Sequence, residues 1–96
     1  MSDTRYLRLR QQGLAWSEVN DETVILDLAT STYFAASGSG SFILGCLAKG
    51  ATQEDIVAQL VQRYEVDAAT AATDVAGFLS QLESHNMLEP VVASRP

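Results

Sequence analysis

One cysteine and one histidine stand in this 96-residue chain, so a thiol nucleophile with an imidazole base would have to be Cys46 with His85. A thiol attacks as its thiolate, which calls for an exposed cysteine beside a basic group. Cys46 instead lies in the apolar run Phe42-Ile43-Leu44-Gly45-Cys46-Leu47, which reads as a buried helix with the thiol as a small core group. His85 ends a long helical pattern, where an imidazole complements the negative pole of the helix. Ser37-Gly38-Ser39-Gly40 is glycine-rich but lacks the lysine and spacing of a phosphate-cradling loop. Glu54 and Asp55 are paired carboxylates at a helix start, where the positive pole accounts for them. The remaining acids are too scattered to suggest a metal set. The expectation is a non-enzyme with no catalytic residue, no metal and no cofactor.

The elements that would position any site follow from periodicity. Leu14–Val19, Thr23–Leu28 and Thr32–Ala36 read as three strands joined by the polar turns at Asn20-Asp21-Glu22 and Ala29-Thr30-Ser31. Connections this short make an antiparallel meander. A first helix follows, with Ser37 or Ser39 as its N-cap, and stops at Lys49-Gly50. Thr52 caps a second helix whose stripe is Ile56, Val57, Leu60, Val61 and Tyr64. Asp67 caps a third, from Ala68 to about Ser84, with Val75, Phe78, Leu79 and Leu82 as its stripe and Asn86 closing it. The fold class is α+β: a three-stranded antiparallel meander followed by three helices, a winged-helix-like set with its hairpin first. Residues 14–89 form the domain, 1–13 a flexible arm and 90–96 a flexible tail.

Charge bears on partners. Arg5, Arg8 and Arg10 lie near the start, while residues 11–96 carry three cations against eleven acids, a net of −8. Nucleic-acid affinity comes largely from Lys and Arg neutralising phosphates, so an acidic body argues against that partner. A winged-helix DNA binder would also present cations from its recognition helix, and the third helix here has none. The longest apolar runs are about five residues, far below the ~20 of a membrane span. A lone cysteine and no secretory signal fit the cytoplasm. What remains is binding. The Thr32–Ala36 strand, if it lies at a sheet edge, can accept an added peptide strand, or pair two copies into a homodimer. Ala76 and Gly77 are small residues that would let a peptide backbone approach the third helix.

Over residues 14–88 the chain resembles the PqqD-like family, also called RiPP recognition elements, especially stand-alone members from lasso-peptide clusters. The residues that carry the likeness are Trp16, Val24-Ile25-Leu26-Asp27-Leu28, Tyr33, Gly40 with Ile43, Thr52, Ile56, Leu60, Tyr64, Asp74-Val75, Phe78-Leu79, Leu82 and Leu88. It departs at Ala36-Ser37, where Leu-Asn is frequent, and at Leu44, where an aromatic often follows Ile43. The resemblance implies binding of the leader segment of a ribosomally made precursor peptide and its presentation to a leader peptidase or other modifying enzyme. Carried over by position, Thr32, Tyr33, Phe34 and Ala35 would pair with the leader, and Asp74, Val75, Phe78 and Gln81 would line the groove. The competing readings are the DNA-binding regulator and a non-catalytic scaffold subunit.

Overall fold

Tyr6-Leu7-Arg8-Leu9 alternates in its burial, with Leu7 and Leu9 in the core and Arg8 half-exposed. In the computed structural model, which describes residues 6–91, this segment is the first strand, β1 (Tyr6–Leu9). Then come β2 (Leu14–Val19), β3 (Glu22–Asp27), β4 (Thr32–Ser37), α1 (Ser39–Lys49), β5 (Ala51–Thr52), α2 (Gln53–Tyr64), α3 (Ala68–Ser84) and β6 (Leu88–Val91). The meander β2-β3-β4 and the three helices are as the periodicity predicts. A second small sheet, ordered β5-β1-β6, is added to them.

That second sheet corrects two expectations. The arm over 1–13 is strand at Tyr6–Leu9, because Leu7 and Leu9 have a core to enter and Tyr6-Leu7-Arg8-Leu9 pairs with Val91-Pro90-Glu89-Leu88. The tail over 90–96 is strand through Val91 for the same reason. Residues 1–5 and 92–96 lie outside the described residues. Arg8 and Glu89 face each other across the ladder and form an ion pair of 2.7 Å. Both are about one-third exposed, so the pair contributes about 0–1 kcal/mol. Apolar burial of Leu7 and Leu9 is what holds the strand.

The meander turns at left-handed residues. Asn20 (φ 58°) makes the β2–β3 turn and Ser31 (φ 61°) the β3–β4 turn. Asp27 closes the latter, its backbone carbonyl accepting from Ser31 N–H at 2.8 Å and its Oδ1 from Ala29 N–H at 3.0 Å. The central strand β3 buries Thr23, Ile25 and Asp27 against the helices. Thr23 and Ser41 hydroxyls bond to each other in the interior and tie β3 to α1.

Helix α1 starts on Gly38 (φ 61°), with no side-chain cap. Neither Ser37 nor Ser39 caps it: the left-handed turn out of β4 takes the glycine, and the chain enters the helix directly. Thr52 caps α2 through Asp55 N–H at 3.0 Å, and Asp67 caps α3 through Thr70 N–H at 3.3 Å, as their spacing predicts. The core is Ile25, Ile43, Leu44, Leu47, Ile56, Leu60, Val75, Leu79, Leu82 and Met87 with their smaller neighbours. At Gly40 the packing is tight: an added Cβ would sit 2.9 Å from Ala36 Cβ and 3.1 Å from Phe78 Cε1. That glycine lets α1, β4 and α3 converge.

Candidate functional site

β4 lies at one side of its sheet, with β3 as its neighbour in the order β2-β3-β4. The direction of its backbone groups follows from two hydrogen bonds. Gly38 N–H donates to Asp21 O at 3.1 Å, one step beyond the Glu22–Ser37 pair. Antiparallel ladders alternate bonded and non-bonded pairs, so the bonded pairs are Ala36–Thr23, Phe34–Ile25 and Thr32–Asp27. The β2–β3 ladder agrees: Leu28 N–H donates to Gly13 O at 2.8 Å, which turns Glu22, Val24 and Leu26 toward β2 and leaves Thr23, Ile25 and Asp27 for β4. Tyr33 and Ala35 therefore point N–H and C=O off the sheet. Thr32 and Phe34, expected to pair with a peptide, spend their backbone groups on β3 instead, because side-by-side residues on a strand face opposite edges.

Phe34 has another use. Its ring meets Phe78 edge-on at 5.5 Å and His85 at 5.7 Å. These rings pack β4 against α3, and the seam between the β4 edge and α3 is the candidate cleft. Along α3, Asp74, Phe78, Gln81 and His85 recur at steps of three and four and share the side nearest β4. Asp74 and Gln81 are exposed and Phe78 is half-buried, so all three are open to a ligand. Val75 is not: it is fully buried in the core, about 100° around the helix from Asp74, and acts in packing. His85, which sequence reading gave a dipole role only, joins the cleft. Its Nδ1 donates to Gln81 O at 2.8 Å. Its seven-residue separation from Phe78 was the available signal. Gly77 also lies on this side, and a Cβ there would meet nothing within 4 Å, whereas Ala76 lines a separate hollow with Leu7, Gln53 and Glu83.

The face of the meander opposite the helices is apolar. Registered rows place Ala15, Leu26 and Tyr33 side by side, then Ser17, Val24 and Ala35. Tyr33 is 66% exposed, Val19 64%, Leu28 58% and Leu26 37%, far more open apolar surface than one sheet face needs. Tyr33 thus serves two surfaces: its backbone faces the edge and its ring the open face.

A wider groove of about 770 Å³ lies elsewhere, between β2 and α1, lined among others by Tyr6, Trp16, Phe42, Cys46 and Lys49. Cys46 is half-buried on its wall, not in the core, because it stands one turn from the buried Ile43 toward the groove side of α1. Burial pushes its thiol up, with Lys49 pulling against that and Asp55 adding to it. Cys46 and His85 line different surfaces and form no pair. Among the described residues there is no group of three or more His, Cys, Asp or Glu side chains fit to hold a metal ion, and no helix is long and apolar enough to cross a membrane.

Residues 22–88 match the model of the family described as coenzyme PQQ synthesis protein D (PqqD). The solved structure of TbiB1 in complex with the TbiA(beta) leader peptide superposes with a TM-score of 0.80 at 31% identity, covering 90% of this chain and 99% of that one. The structure of a lasso peptide synthetase B1 complexed with the leader peptide superposes with a TM-score of 0.77 at 25% identity, covering 88% and 98%. No curated protein sequence matches the chain.

Proposed function

The chain belongs to the PqqD family, and from that membership we propose that it holds the leader segment of a ribosomally synthesised precursor peptide, of lasso-peptide type, for a processing enzyme. The observation that carries this reading is the β4 edge: outward backbone groups at Tyr33 and Ala35 beside an aromatic cleft of Phe34, Phe78 and His85. The leader adds as a fourth strand. Its main chain pairs with Tyr33 and Ala35, and its alternate side chains enter the cleft toward Phe78, Asp74 and Gln81. Backbone pairing supplies sequence-tolerant affinity, and the cleft supplies selection.

The protein acts here as a carrier, not a catalyst. The modifying chemistry belongs to a partner, a leader peptidase or other modifying enzyme, and the apolar outer face of the meander is the surface that suits its docking. Leader and partner then share Tyr33, so a bound leader extends the very sheet that the enzyme would meet. Recognition away from the modified segment lets one carrier serve variable core sequences. Asp74 in the cleft and the acidic body favour leaders carrying Lys or Arg, through faster encounter that weakens with salt.

Calorimetric or fluorescence titration with synthetic leaders of precursor genes near this chain's own gene tests the reading, with the TbiA(beta) leader as a comparison. Saturable binding to the leader, and none to the core segment of the same precursor, is expected. Binding to neither segment overturns it.

A further inference from the structure

The two walls of the cleft, β4 and α3, are joined through apolar and aromatic contacts. Among the described residues no hydrogen bond or ion pair runs directly between them. One residue outside both walls bonds to a neighbour of each. Arg10 follows β1, and its backbone N–H donates at 2.9 Å to the carbonyl of Met87, just past the end of α3. Met87 is fully buried and bonded back to α3 through Leu82 O at 3.0 Å, so that carbonyl is fixed relative to the helix. The Arg10 guanidinium donates through Nη2 to Asp27 Oδ2 at 2.9 Å. Asp27 faces Thr32 across the β3–β4 ladder, and its other oxygen holds Ala29 in the turn.

We propose that Arg10 is a positioning residue for peptide binding: it spans from Met87, just past α3, to Asp27 at the turn end of the β3–β4 hairpin, and sets the spacing of β4 and α3 at the Phe34–His85 end. The inference rests on the leader-binding reading given above. The bridge is stiff because of where it lies. The Asp27 side chain is 5% exposed and that of Arg10 32%, so water competes weakly for the bond. Among the described residues Arg10 Nε is buried with no partner, so the Nη2 bond defines the reach of the side chain. Shortening it lets the hairpin and α3 shift independently, and the rings of Phe34, Phe78 and His85 no longer meet at their present spacing. Among the described residues, Arg10 hydrogen-bonds to Met87 and Asp27 and to none of β4. Its effect on affinity is one of geometry.

The test uses the full chain, with affinity for a fluorescently labelled synthetic leader measured well below each variant's melting temperature. Arg10→Gln and Asp27→Asn should each weaken binding on the order of tenfold, within the usual range of coupling between distant groups. The double variant should lose no more than either single one, since both remove the same bridge. Arg10→Lys, which keeps a cation within reach of Asp27, should recover most of the affinity. Nuclear Overhauser contacts between the Phe34 and Phe78 rings should weaken in Arg10→Gln without leader, while those among Ile56, Leu60 and Leu79 persist. Asp27→Asn keeps the shape and the bond from Ala29, and stands in where Arg10→Gln does not fold. Wild-type affinity in the folded single variants, additive losses in the double variant, or unchanged ring contacts would each overturn the proposal. If the wild-type chain binds no leader, the leader-binding reading falls, and the ring contacts still decide whether Arg10 sets the cleft.

Discussion

Replacing Ala35 by proline separates the two edges of β4. The Ala35 N–H points off the sheet, so proline there takes no bond from the β3–β4 ladder. Phe34 before it is extended, which suits a residue preceding proline. The Ala35 side chain is exposed on the open face, with room for the ring. The folded domain should therefore keep its circular dichroism and melt within a few degrees of the wild type. A bound leader, by contrast, loses the donor to one of its carbonyls and leaves that carbonyl desolvated. A net hydrogen bond of about 1 kcal/mol and a desolvation penalty of about 1–2 kcal/mol give about 2–3 kcal/mol, or roughly 30- to 150-fold in Kd. Ala36→Pro is the control. Its N–H donates into the ladder opposite the fully buried Thr23, so it should cost the fold itself on the order of 2–4 kcal/mol. Melting curves and leader titrations on both variants decide the matter. A folded Ala35→Pro protein with undiminished leader affinity refutes strand addition here, and an unfolded Ala35→Pro beside a stable Ala36→Pro refutes the assigned register.

Other outcomes follow from the same geometry. Gly77→Ala, with open space at its Cβ, should raise stability in urea by about 0.5–1 kcal/mol, while Gly40→Ala, which meets Ala36 and Phe78, should lower it by about 1–3 kcal/mol; the same sign for both would contradict the packing described at Gly40. Stability should be flat from neutral pH into the mildly acidic range and fall below about pH 4. Burial raises the Asp27 carboxyl, but the bond from Ala29 and the charge of Arg10 outweigh it and hold it below its ordinary 3.8; the Thr70 hydroxyl and N–H hold Asp67 down likewise. Groups lowered in the folded state stabilise above their unfolded value and lose that contribution as pH falls through the folded one, so urea midpoints that rise on acidification would contradict both assignments. Duplex DNA should show no salt-resistant, sequence-dependent retention in a gel-shift assay, because α3 carries Asp74 and Glu83 and no cation.

The meander and the helices were legible because their signals are local. Turn residues at Asn20 and Ser31, caps at Thr52 and Asp67, and stripes of period 3.6 each lie within a few residues of what they specify. The small sheet was not, because β1 and β6 are four residues each and pair across the length of the chain. Tyr6-Leu7-Arg8-Leu9 alone reads equally as a frayed basic arm. The candidate site was readable from sequence as a strand edge beside a helix, and not in its parity. Whether Tyr33 or Phe34 offers its backbone depends on ladder register, which one residue of slip would invert. Val75 was placed in the cleft by position in the family pattern, although it also belongs to the apolar stripe of α3, and the stripe is the reading that its burial bears out. The Arg10 bridge had no sequence signal, since its partners Asp27 and Met87 are related only by the fold.

The central claim is that a leader joins the sheet along β4, and amide hydrogen exchange with and without leader reads that directly. In the free protein Thr32, Phe34 and Ala36 amides should already be protected by β3, and Tyr33 and Ala35 should exchange fast. Saturating leader should slow Tyr33 and Ala35 specifically, by the factor that its affinity sets. New protection at Trp16 and Glu18 on the opposite β2 edge, or saturable binding that leaves Tyr33 and Ala35 as fast as before, would contradict it.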